Sequence, residues 1–208
     1  MSTEAQKLLV FLHVAVKQRA FQGELQSALP GIDVTAVGRI GDFDRSLQDH
    51  PDAVLTLPLV LAARGIGATL HGRRQGAQDE VYALVGADSM PDPAKIQSVG
   101  ALDLLGRDGT DSFVNRVLGA RPKVERVTKV EDLLPLLQMQ RVDAILLAAR
   151  FVTELKKASR LSLFQRDLAT KVELPAAATL TAGGPQILGA LSRLPAQLSA
   201  AMGVDEWR

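Results

Sequence analysis

With 208 residues, 47% of them hydrophobic and 23% charged, the chain has enough apolar material for one ordinary domain or two small lobes. A net charge of +1 and an aromatic share of 4% supply neither the basic field nor the stacking surface of a nucleic-acid binder, and no stretch inserts in a membrane. Cysteine is absent, which removes disulfides, thiolate catalysis and cysteine metal sites; His13, His50 and His71 lie too far apart for zinc-ligand spacing.

Leu8–Ala15 is a near-continuous apolar run, the mark of a buried parallel strand. It is short, follows a single Lys7 and lacks a small-residue cleavage site, so it reads as a strand and not as an export signal. The chain as given is therefore expected in the cytoplasm; a periplasmic protein trimmed of its leader would read the same way. Val16–Leu29 carries helical spacing and stops at Pro30-Gly31. Ile32–Val37 predicts a second strand, Asp42–Gln48 a short helix, and Ala53–Leu57 a third strand, with Pro58 suited to the first turn of a helix. This βαβαβ order implies a parallel sheet with right-handed crossovers.

Ala68–Leu70 and Glu80–Val85 predict strands around Gly72-Arg73-Arg74-Gln75-Gly76, which reads as a mobile basic loop or as a phosphate contact. After the break at Asp88–Pro93, Asp92 is placed to cap a helix over Pro93–Val99. A strand over Ala101–Leu105 and a helix over Gly109–Leu118, ended by Gly119, follow. Further on, Phe151–Ala158 predicts a helix, Leu161–Phe164 and Thr170–Leu174 return strands, Ala176–Gly184 a loop, and Pro185–Met202 a helical region interrupted at Pro195. The tail Val204–Arg208 docks or hangs free.

Residues 34–55 (VTAVGRIGDFDRSLQDHPDAVL) and 124–146 (VERVTKVEDLLPLLQMQRVDAIL) carry the same strand, turn, acid-led helix and strand, each closing on Asp-Ala-aliphatic-Leu. A strand–helix–strand unit used twice predicts two similar α/β lobes, each a small, mostly parallel sheet flanked by helices, facing each other across a ligand cleft. The expected boundaries are 1–84 plus 170–208 for the first lobe, with 85–169 inserted as the second.

Four stretches, Phe43–Leu61, Leu70–Val85, Gly106–Leu118 (GRDGTDSFVNRVL) and Val130–Leu147 (VEDLLPLLQMQRVDAILL), together resemble the type II periplasmic-binding-protein fold. More narrowly, they resemble the phosphonate/phosphate-type solute-binding proteins of ABC transporters. The resemblance implies a protein that closes two lobes on a small polar, anionic ligand, without cofactor or metal. Its expected partner is an ABC permease or a regulatory protein. Enzymes of menaquinone-pathway type also resemble this architecture, and a partner-interaction module with a degenerate cleft is a third reading. No nucleophile–base pair, Walker loop or G-x-S-x-G is present, so no catalytic residue is assigned.

The sharpest local signal is Gly106-Arg107-Asp108-Gly109-Thr110-Asp111-Ser112. A glycine-rich turn opening a helix lets backbone N–H groups approach an anion; Thr110 and Ser112 would add hydroxyls and Arg107 a guanidinium. With Asp108 and Asp111 alongside, the same turn also reads as an ordinary capped helix start or as a contact for an amine or hydroxyl ligand. In open α/β sheets ligands sit beyond the carboxyl ends of strands, which brings in His13, Thr56 and Arg150. Each has a structural alternative: a hydrogen-bonded core histidine, a strand-end hydroxyl bonded to backbone, and a surface ion pair.

Overall fold

Residues 5–208 are described by the computed structural model. Along the chain run β1 (Gln6–Val10), α1 (Gln18–Ala28), β2 (Ile32–Ala36), α2 (Ile40–Leu47), β3 (Ala53–Thr56), α3 (Pro58–Ala62), β4 (Leu70–Arg73), β5 (Asp79–Ala87), β6 (Ser98–Leu102), α4 (Gly106–Leu118) and β7 (Lys123–Val127). Then come α5 (Leu133–Gln138), β8 (Ala144–Ala148), α6 (Val152–Ala158), β9 (Leu163–Glu173), β10 (Ala176–Thr179), α7 (Gly184–Leu191), α8 (Ala196–Ala201) and β11 (Glu206–Trp207). Short 3-10 turns precede α5 and α6. The chain divides into two units, one running through Asp79 and resuming over Glu173–Arg208, the other Glu80–Val172.

The first unit is built on β1, whose Leu8, Leu9 and Val10 are all buried. Both its neighbours, β2 and β3, run parallel to it, and a strand covered on both faces carries a continuous apolar run. α1 buries Phe21 and Leu25, and α2 buries Ile40 and Phe43. β10 enters antiparallel between β3 and β4, and the tail strand β11 pairs antiparallel with β4. The order is β11-β4-β10-β3-β1-β2.

The second unit repeats the plan. β6 lies parallel to β7 and β8, β5 runs antiparallel to β8, and the order is β7-β6-β8-β5-β9. All five residues of β8 are buried, as are Phe113, Val114, Val117 and Leu118 of α4. Strand for strand, β2-β1-β3-β10 corresponds to β7-β6-β8-β5. The duplicated segments are β2-α2-β3 and β7-α5-β8.

The shared Asp-Ala of that repeat has a physical role. Asp52 Oδ2 accepts the Lys7 N–H at 2.9 Å while the Asp52 N–H donates to the Lys7 carbonyl. Asp143 Oδ2 accepts the N–H groups of Gln97 at 2.7 Å and Ser98 at 2.9 Å, while its own N–H donates to the Ser98 carbonyl. Each aspartate thus pins the start of the central strand to the strand beside it and fixes the register, Leu8 against Ala53 and Val99 against Ala144.

Four expectations are corrected. No helix forms over Pro93–Val99: Asp92 accepts the N–H groups of Ala94, Lys95 and Ile96 in a single turn, and Asp143 then draws Gln97 and Ser98 into strand geometry. Ala176–Thr179, expected in a loop, is a central strand. The two return strands are one, β9, whose solvated middle continues because an edge strand tolerates charge. The basic loop at Arg73-Arg74 is a turn closed by paired Arg74 and Ala77 backbone bonds and tied to Asp205 by the Gln75 N–H. The tail docks, with Trp207 buried and its indole N–H donating to Ser199.

Candidate functional site

Because β6 and β8 are parallel and β5 is antiparallel, the carboxyl ends of the first two and the start of β5 share one edge of the second unit's sheet. There the chain leaves β6 through Asp103-Leu104-Leu105 and enters α4 at Gly106, whose φ is +77°. Thr110 organises this turn. Its hydroxyl accepts the N–H groups of Leu104 (3.1 Å) and Leu105 (3.0 Å) and donates to Asp103 Oδ1 (2.9 Å). Asp103 Oδ1 also accepts the Gly106 N–H at 2.9 Å. A Cβ at Gly109 would fall 2.6 Å from that of Leu105, so glycine lets the turn close on itself. The N–H groups of Arg107 and Asp108, next in the helix, are left by helix geometry to water or a ligand. Arg107 and Ser112 are exposed, and Asp111 is ion-paired with Arg126.

On the same edge Arg150 forms an ion pair with Glu80, and both side chains are largely shielded, at 13% and 8% exposure. The Arg150 guanidinium lies 4.4 Å from the Phe151 ring centroid, and its Nε has no hydrogen-bond partner among the described residues. Tyr82, opposite Ala148 and two residues after Glu80, packs edge-on against Phe113 of α4 at 5.8 Å. Burial pushes its phenol far above the ordinary range, and the Glu80 carboxylate adds to the effect.

In the first unit, the Thr56 hydroxyl donates to the Phe11 carbonyl at 2.7 Å, and the residue is fully buried. His13 is half-buried, with its ring edge-on to Phe11 at 5.3 Å. Of the residues predicted from sequence, then, Arg107, Gly109, Thr110 and Ser112 share one helix start and Arg150 lies on the same sheet edge, while His13 and Thr56 belong to the first unit. Thr56 and Thr110 spend their hydroxyls on the protein's own backbone, and Arg150 is committed to Glu80. Glu80 and Asp103 escaped the sequence reading. Asp103 left a signal, an acid three residues ahead of a helix-opening glycine; Glu80 left none, since its partner is 70 residues away. Among the described residues no three of His, Cys, Asp and Glu gather as a metal site. No helix among them is long and apolar enough to cross a membrane.

No protein-family model and no curated protein sequence matches the chain. Solved structures do. PhnD1 from Prochlorococcus marinus, in complex with methylphosphonate, superposes with a TM-score of 0.65 at 14% identity, covering 99% of this chain and 93% of that one. An ATP-bound protein from Xanthomonas citri gives 0.64 at 11% identity, over 99% and 91% of the two chains. A point variant of arginine-bound ArgBP from T. maritima gives 0.58 at 15% identity, over 95% and 94%. The fold is that of the type II periplasmic binding proteins. Type II periplasmic binding proteins so unlike in sequence share an architecture, and the ligand has to be argued from this chain's own side chains.

Proposed function

We propose that the chain is a solute-binding protein whose two units close on a small polar anion of phosphonate or phosphate type, for delivery to an ABC permease or for sensing by a regulatory partner. The observation that carries the reading is the turn opening α4. Its internal bonds, from Thr110 and Asp103, satisfy the Leu104, Leu105 and Gly106 N–H groups and leave the next two facing outward beside the exposed Arg107. Oriented N–H groups, the positive end of the helix dipole and a guanidinium suit an oxyanion, with the Ser112 hydroxyl one turn on as a further donor. The small molecules bound by the structural neighbours, methylphosphonate, ATP and arginine, support binding as the general activity.

The test is thermal unfolding with orthophosphate, methylphosphonate, arginine and ATP. A ligand at a hundredfold excess over its dissociation constant stabilises the folded state by about 2.7 kcal/mol. The reading expects that shift for phosphate or methylphosphonate and its loss in Arg107→Ala. Equal shifts in wild type and Arg107→Ala would move the site elsewhere.

A further inference from the structure

β9 is the longest of the described strands and lies at an open sheet edge. It runs eleven residues, Leu163–Glu173 (LFQRDLATKVE), against five each for β7 and β2 and two for β11, the other edge strands. β5 flanks it on one side, and among the described residues no strand pairs with the other. An edge strand presents a row of unpaired N–H and C=O groups, which native proteins blunt by shortness, proline, a covering element or charge. β9 is long and has no proline, and from Arg166 to Lys171 every residue but the half-buried Leu168 is exposed. Charge is left to decide what pairs with it.

The charges are ordered symmetrically about Ala169, with Asp167 two residues before it and Lys171 two residues after. The three share one exposed face, while Leu168 and the buried Val172 lie on the other. Two copies of one edge strand related by a two-fold axis pair antiparallel, and whatever residue one copy sets against the other is set against it in return. Centred on Ala169, that pairing brings Asp167 of each copy opposite Lys171 of the other. The neighbouring registers are poorer. Centring on Arg166 or on Asp167 sets that residue against itself, and centring on Thr170 sets Asp167 against Glu173; centring on Leu168 pairs no charge with its opposite. Opposite charges directly across a strand pair attract and like charges repel, so one register is favoured and slips to either side are not. Contacts within the chain agree with it. The Gln165 amide donates to Asp167 Oδ1 at 2.6 Å and orients the carboxylate, and Arg166 Nε donates to the Pro91 carbonyl at 2.7 Å, which draws that cation aside.

We infer that β9 is the docking edge for a second copy of this chain, paired antiparallel about Ala169, with Asp167 of each copy facing Lys171 of the other. The two five-stranded sheets then become one continuous sheet. The pairing does not depend on the ligand proposed above.

The experiment is sedimentation velocity of the full chain. Between about 1 and about 200 µM the wild type should pass from monomer to dimer, as a small interface does. Asp167→Lys brings like charges together in the favoured register, and so does Lys171→Asp; each should weaken self-association by about tenfold or more. An equimolar mixture of these two variants restores attraction at both contacts and should dimerise as the wild type does, which an effect on the fold of a single chain would not produce. Ala169→Glu, at an exposed position, faces itself across the axis and should abolish the dimer while leaving the melting temperature of the monomer unchanged. A wild type that stays monomeric throughout this range would overturn the inference. A dimer that Ala169→Glu leaves intact, or a mixture of the two charge variants that associates no better than either alone, would overturn it equally.

Discussion

Thr110 engages three groups with one hydroxyl; its removal takes the acceptor from the Leu104 and Leu105 N–H groups, while Asp103 keeps the Gly106 N–H. Thr110→Val should destabilise by about 1–3 kcal/mol, the cost of stranding buried polar groups, while Thr110→Ser should keep most of the stability; urea unfolding midpoints decide it. Arg150 poses the same question with charge. Arg150→Ala strands the Glu80 carboxylate and should cost about 3–5 kcal/mol, whereas the double change Arg150→Met with Glu80→Gln should recover much of the loss. A double variant as weak as the single one would show that packing, not charge, holds this spot. Asp143 sets a pH dependence. Burial raises its pKa, but the Gln97 and Ser98 hydrogen bonds outweigh that and hold it below the ordinary carboxylate value. A folded-state value below the unfolded one contributes stability that is present above about pH 4 and is lost as pH falls through the depressed folded value. Asp143→Asn should cost about 1 kcal/mol near neutrality and flatten the acid limb of the stability curve. An unchanged acid limb would show that the carboxylate is not what pins the strand. At this scale the sequence was half legible. The turn at 106–112 was visible as glycines and hydroxyls, but whether Thr110 faces a ligand or its own backbone depends on Asp103 and Leu104 folding under it.

Elements that carry their own pattern were readable, and elements defined by neighbours were not. The apolar run of β1, the proline opening α3 and the glycine ending α4 declare themselves. β10 does not: Ala-Ala-Ala-Thr has no alternation and little β-branched bulk, and it is a strand because it pairs antiparallel with β3 on one side and β4 on the other. Residues 93–99 have helical composition but lose their helix to the strand pairing of β6. The docking of the tail on β4 depends on Gly72, where a Cβ would fall 2.6 Å from Val204 Cγ2 and 2.7 Å from the Pro175 carbonyl oxygen. Gly72→Ala should cost about 1–3 kcal/mol by overpacking and loosen β11. Trp207 is the sole tryptophan, so its emission should shift to the red; emission identical to wild type would show that the tail docks without this close approach.

The internal repeat carried the architecture because the same strand–helix–strand plan, latched by the same aspartate, builds both sheets. That plan was legible in one sequence, since strand–helix–strand order follows from local pattern and implies parallel pairing. The ligand was not, because binding side chains such as Arg107 obey no periodicity and the fold accepts chemically different small molecules. The most direct test of the binding function is calorimetric titration of the protein and its Arg107→Ala variant with methylphosphonate and orthophosphate. The account predicts saturable one-site binding to the wild type that the variant loses by about tenfold or more. A well-folded wild type that takes up neither anion would contradict it.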